Sequence, residues 1–190
     1  GVLIDTPNTP QALAETARNL AQADIVLHEA AFQSGDFLVR TDILVKKGKT
    51  VELIEVKSKS FDHKESMSLE SGLPNATWAP YIHDIAFQTM VVRVAQPSWE
   101  VTPFLMLPNK SATAPVDGIN GLFRCRRVGN NYDVSVTGPI PPEVLTSNLL
   151  VKKDVSALVQ KVLGHKYDGL SFEDRARYWA TELAAGRKIP

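Results

Sequence analysis

Three ionisable residues on two consecutive short runs stand at a spacing that chemistry uses. They are Asp42, within Val39-Arg40-Thr41-Asp42-Ile43-Leu44-Val45, and Glu55 and Lys57, within Glu55-Val56-Lys57. Alternate residues of a strand share a face, so Glu55 and Lys57 lie on one side with Val51 and Leu53, about 7 Å apart along the chain. On the preceding strand Leu38, Arg40, Asp42 and Leu44 share a face. The Lys46-Lys47-Gly48-Lys49 connection makes the two strands antiparallel neighbours, which lets Asp42 and Glu55 stand diagonally close. Glu29, on a strand before these, shares a face with Ile25, Leu27 and Ala31, so a cluster of Glu29, Asp42, Glu55 and Lys57 is geometrically possible. Converging carboxylates repel unless a cation joins them. All-oxygen ligands suit Mg²⁺ or Mn²⁺ with waters completing the shell, and that chemistry serves phosphate substrates. A lysine beside such a metal orients or deprotonates the attacking water. Cross-strand acid–lysine pairs on a solvated face are the plainer alternative. The apolar neighbours Leu53, Ile54 and Val56, and Ile43-Leu44-Val45 after Asp42, favour a site.

The elements that must hold these residues read as an α/β core with a mixed sheet. Thr9 and Pro10 open a helix with Leu13, Ala17, Leu20 and Ala21 on one stripe. Strands follow over 25–32, 37–45 and 50–57, with Ser34-Gly35-Asp36 and the lysine-rich turn between them. Residues 58–80 read as a long irregular loop, a length that is usually functional or mobile. A mostly apolar and therefore mostly buried helix covers 81–95. A strand over 98–107 and a hairpin over 121–136 come next. Helices are expected over 151–163 and 171–185, the latter capped by Ser171. The domain reading is a core over 1–138 and a helical C-terminal extension over 139–190 that is part of or packed on the same domain.

Composition narrows the class. Lysines and arginines number 21 and acids 21, so the formal net charge is zero, which weighs mildly against a nucleic-acid binder that works by overall charge. A single cysteine, Cys125, excludes an intrachain disulfide and a four-cysteine cluster within this chain, and fits a cytoplasmic setting. No apolar run is long enough to span a membrane, and the start lacks the features of a signal peptide. The first residue is Gly1 rather than Met, so the chain is expected to be a piece of a longer one.

The arrangement resembles the PD-(D/E)XK nuclease superfamily, in which an acid on one strand is followed by Glu-x-Lys on the next. It is most similar to the RecB-like exonuclease branch, which adds a glutamine on the helix after the third strand. Gln88 stands there, with Val92 where that branch usually has tyrosine. Four stretches in order carry the likeness to an uncharacterised bacterial family with this core: Glu29-Ala30-Ala31-Phe32, Arg40 to Leu44, Glu55 to Ser58, and Asp84 to Gln88. The resemblance implies a restriction-endonuclease-like core and metal-dependent hydrolysis of phosphodiester bonds, in DNA by preference. It implies that Asp42 and Glu55 bind Mg²⁺ or Mn²⁺ with the Val56 carbonyl, that Glu29 adds a carboxylate, that Lys57 activates water, and that Gln88 contacts the strand or holds the site. A nuclease-fold module that only binds nucleic acid or a protein partner is the alternative. His28 reads as a structural histidine. Asp84 and Tyr81 share the stripe of Gln88, and Asp84 fits a tether as well as it fits a site. Lys46, Lys47 and Lys49 read as a phosphate-contacting patch or a solvated turn, and Arg124 to Arg127 as a further candidate nucleic-acid contact. Trp78, Trp99 and Trp179 read as packing residues.

Overall fold

A computed structural model describes residues 1–129 and 131–188. Six strands form a mixed sheet in the order β1-β2-β3-β4-β5-β8: β1 (Val2–Leu3), β2 (Asp24–Ser34), β3 (Phe37–Lys47), β4 (Thr50–Val56), β5 (Glu100–Pro108) and β8 (Leu150–Asp154). β2, β3 and β4 run antiparallel through tight turns, whereas β1 joins β2 and β5 joins β4 in parallel. The parallel step from β4 to β5 needs a crossover, and helix α2 (Ala79–Ala95) provides it. The chain is thus α/β with helices against a mixed sheet. No helix among the described residues is long and apolar enough to cross a membrane.

Two compact units divide the chain. One comprises Gly1–Lys57, Ser66–Met106 and Lys152–Pro190, the other Ser58–Glu65 and Leu107–Val151. Residue 138 lies inside the second unit, and from Lys152 the chain belongs to the first unit, which holds two further helices, α4 (Ser156–Gly164) and α5 (Phe172–Ala184). The second unit holds the hairpin of β6 (Phe123–Val128) and β7 (Asn131–Val136) and a short helix α3 (Pro142–Leu145).

In the first unit the core is a leucine row. Leu27 pairs with Leu44 and Leu44 with Leu53, and all three are fully buried. Helix α2 lies over β2 and β3 with Ile82, Ile85, Ala86, Val91 and Val92 buried, and α4 packs on α2 through an element holding the buried Val159 and Val162. Helix α1 (Thr9–Asn19) packs on β2, where the Thr16 hydroxyl accepts from the Ala31 amide.

Three local readings are corrected, and the loop from residue 58 is as expected. The cap of α1 is Asn8, whose side chain accepts from the Gln11 amide, so Thr9 is already helical. Residues 151–154 are strand rather than helix, because Leu150–Asp154 finds the open edge beside β5. Its lysines suit an edge, and Lys152 both pairs with Glu52 at 2.7 Å and lies over the Phe104 ring. Lys46 is not part of a solvated turn. It is buried, and its ammonium donates to the carbonyls of Gln22 and Ala23 at 2.6 and 3.0 Å, fastening the α1–β2 connection. The 58–78 stretch has no helix or extended strand, yet Ser68 bridges Pro74 and the buried Trp78 anchors its end. The Ser171 cap holds as expected, accepting from the Asp174 amide.

Candidate active site

The row beyond the leucines is charged. One step past the Ile43–Ile54 pair, Asp42 stands opposite Glu55. On the other side of β3 the ladder pairs His28 with Ile43 and Ala30 with Thr41, and between them Glu29 stands opposite Asp42 without a ladder bond. The cause is local: Glu29 has φ 58°, a left-handed conformation that costs a non-glycine residue about 1–3 kcal/mol. Glu29, Asp42 and Glu55 thus share one cross-strand row in backbone register, as alternation requires.

The side chains divide that row. Glu55 is buried, with 6% of its surface exposed. Lys57 extends the β4–β5 ladder by one bond, its amide donating to the Met106 carbonyl at 3.0 Å, so its side chain stays on the face of Glu55. The Lys57 ammonium donates to Glu55 Oε1 at 2.5 Å and to Asp84 Oδ2 at 2.6 Å. From α2, the Gln88 amide donates to Glu55 Oε2 at 2.8 Å and to Asp84 Oδ1 at 3.2 Å. Glu55, Lys57, Asp84 and Gln88 form a closed ring between strand and helix. Asp42 joins from β3: its Oδ2 accepts from the Val56 amide at 2.6 Å, and its charge acts on Glu55. Glu29 does not join, since its carboxylate faces the Arg40 guanidinium at 3.5 Å and is about half exposed. Arg40 is held in turn by the Ile4 and Thr6 carbonyls.

The electrostatics follow from this crowding. Burial pushes the Glu55 carboxyl above the usual carboxylate range. Hydrogen bonds from Lys57 and Gln88 oppose the shift, and the charges of Asp42 and Asp84 add to it. For Lys57 burial works the other way, but the hydrogen bonds to Asp84 and Glu55 outweigh it and hold the ammonium above its ordinary value. In formal charge the cluster sets three carboxylates, Asp42, Glu55 and Asp84, against one ammonium. The Gln88 Oε1 atom, on the same ring, is buried and has no partner. Nε2 is the donor, because the opposite amide orientation would set its oxygen against two carboxylates. Among the described residues no group of three or more histidine, cysteine, aspartate or glutamate side chains is arranged to hold a metal ion.

Of the expected residues, the structure brings Asp42, Glu55, Lys57 and Gln88 together and adds Asp84. The spacing of Asp84 and Gln88, one turn apart on an otherwise apolar helix, was the available signal. Beside Asp84, His83 meets Tyr167 and Phe172, and burial, with the nearby Arg175 charge, lowers its pKa below the usual histidine value. Trp78 and Trp99 pack edge-on against Tyr81 and Phe32.

No protein-family model matches this chain, and neither a curated protein nor a solved structure does.

Proposed function

We propose that this chain is a metal-dependent phosphodiesterase domain of restriction-endonuclease-like fold, hydrolysing nucleic acid and preferentially DNA. The observation that carries this reading is the ring with Asp42 beside it: a buried glutamate, a lysine two residues on, an aspartate and a glutamine from the crossover helix, and Asp42 opposite on the neighbouring strand. Surface acid–lysine pairs do not explain it, because Glu55 is buried and Gln88 spends its amide on two carboxylates.

The residues fit a divalent cation by two observations. The cluster has more carboxylates than cationic groups, and the orphaned Gln88 Oε1 suits a hydrogen-bond donor such as a bound water. Mg²⁺ commonly takes one or two carboxylates and keeps several waters, which two acids can satisfy. Asp42 and Glu55, with the Val56 carbonyl, are the residues that would hold Mg²⁺ or Mn²⁺. When bound, the ion supplies charge neutralisation at the phosphate and a more acidic water. Lys57 would hold the attacking water and the scissile phosphate through its ammonium. Asp84 acts as a positioning residue, keeping that ammonium beside Glu55. Gln88 orients the Glu55 carboxylate.

One observation favours a second reading, a nuclease-fold module that binds nucleic acid or a protein without cutting. The Lys57 ammonium lies between Glu55 and Asp84, so the ring is partly neutralised by its own lysine. One experiment separates the two. Wild type and Asp42→Asn are incubated with Mg²⁺, Mn²⁺ or EDTA and single- and double-stranded, linear and circular DNA and RNA. Cleavage by the wild type with metal alone, lost in the variant, is expected. Binding without metal-dependent cleavage would leave the module reading in its place.

A further inference from the structure

Next to the ring, in the same compact unit, lies a cavity of about 340 Å³. Its walls are mainly aromatic: Phe37 from β3, His83 and Phe87 from α2, Tyr167 and, on α5, Trp179, with three aliphatic residues of α5 between them and Arg175 as the charged member. The volume falls within the range that takes small ligands. The rings meet edge to face, Phe37 against Phe87 at 5.1 Å and His83 against Tyr167 at 5.8 Å. Arg175 lies over the Tyr167 and Trp179 rings at 5.5 and 4.9 Å, and its Nη1 donates to Asp168. Its Nε is buried and has no partner. His83 and Phe87 immediately precede Asp84 and Gln88 in sequence. The cavity wall and the carboxylate ring therefore occupy neighbouring faces of the same two turns of α2.

These features select an occupant. Flat aromatic walls favour a planar ring over an aliphatic chain. The buried Arg175 Nε–H needs an acceptor, which an aliphatic side chain or a phenyl ring lacks and a nucleobase edge carries. We infer that this cavity receives one unstacked nucleobase of the single-stranded nucleic acid on which the ring acts, an inference that rests on the proposed nuclease reading. Bases of single strands are held by stacking on aromatic side chains and arginine planes, whereas a base inside a duplex is not accessible to such walls.

The test uses the full chain labelled with 5-fluorotryptophan, in EDTA, observed by ¹⁹F NMR, with the Trp179 resonance assigned from Trp179→Phe. The probes are a single-stranded oligonucleotide, the same strand with one abasic position moved along it, dAMP, and N-acetyltyrosinamide. The oligonucleotide should shift the Trp179 resonance and leave those of Trp78 and Trp99 in place. One abasic position should weaken binding about tenfold or more, and Phe87→Ala should erase that difference between intact and abasic strands. A shift with dAMP equal to that with the strand assigns the cavity to free nucleotides and overturns the strand inference. A response to N-acetyltyrosinamide alone assigns it to an aromatic side chain of a protein and overturns it too, as does equal affinity for every abasic strand. Metal-dependent cleavage is measured on the same preparation. Cleavage with an unmoved Trp179 resonance removes the base site and leaves the nuclease reading standing. A strand-specific shift without cleavage removes the nuclease reading and leaves the base site.

Discussion

The carboxylate ring and the β6–β7 hairpin are both built from strands that alternate charged and apolar residues, yet they come out differently. Around β4 one charge is inside: Glu55 is buried and held by Lys57 and Gln88, which Asp84 ties together from the half-open side. In the hairpin, Arg124, Arg126 and Arg127 are exposed, and so are Phe123, Val128, Val134 and Val136. The difference is a covering layer. β3 and β4 lie in a six-stranded sheet, α2 packs on β2 and β3, and its Gln88 reaches Glu55 of β4, so a charge buried there must be partnered. The hairpin is a two-stranded sheet, and two strands alone bury too little to be stable in water. A charge pattern on a strand therefore acquires chemistry only where a helix closes over it.

That comparison can be broken most directly at Lys57. On the proposed mechanism Lys57→Ala loses ~10² to 10⁴ in cleavage rate, about 3 to 5 kcal/mol of barrier, while folding and most nucleic-acid binding persist. Cleavage rate and melting temperature measured together check it, with and without Mg²⁺. A variant that melts and cleaves like the wild type would remove Lys57 from the mechanism. If the variant instead melts lower, Mg²⁺ restores it and the cleavage rate stays at the wild-type value, Lys57 serves only to offset the carboxylates.

Below the ring, Leu44→Ala removes the centre of the leucine row and should cost about 2 to 5 kcal/mol by chemical denaturation. A loss under 1 kcal/mol would show that the row does not carry the sheet. Gln88→Leu leaves the Glu55 and Asp84 carboxylates short of a donor and should cost about 1 to 3 kcal/mol without metal. Denaturation in EDTA reads it, and an unchanged midpoint would make Gln88 dispensable to the ring.

The raised Lys57 pKa gives a signed pH effect. The stability it contributes is fully present below the unfolded lysine value, about 10.4, and is lost as the pH rises through the higher folded value. In metal-free buffer the wild type should therefore lose more stability than Lys57→Met as the pH rises from about 10 to about 12. Parallel curves would mean that the ammonium gains nothing from its two carboxylates. The smallest effect belongs to the hairpin, where Arg126→Ala should change stability by less than about 0.5 kcal/mol. If Arg126 meets a phosphate, its loss lowers the slope of log affinity against log salt by about one unit and spares the cleavage chemistry. A larger stability loss would show that the hairpin is covered after all.

Much of the site was legible because strand alternation is a local rule. It put Lys57 on the face of Glu55 and let Asp42 stand diagonally close to Glu55, and the antiparallel pairing of β3 and β4 followed from a short glycine-containing turn; the register that sets Glu29, Asp42 and Glu55 in one row came from the structure. The α/β order and the burial of α2 were equally local, since they follow from apolar periodicity. What alternation cannot see is where a long side chain goes. Glu29 has the right register, but its left-handed backbone and the nearby Arg40 take its carboxylate away. Asp84 enters the ring only because the crossover sets α2 over β4, and Lys46 is buried only because the α1–β2 connection offers it two carbonyls. Residues 151–154 became strand because an edge beside β5 was open, a long-range fact that overrides local preference. The sequence by itself determined which residues could share a face, because that depends on neighbours along the chain. Only the tertiary structure decided which of them meet, and it alone formed the aromatic cavity from β3, α2 and α5, because those contacts join residues far apart in sequence whose approach is set by packing.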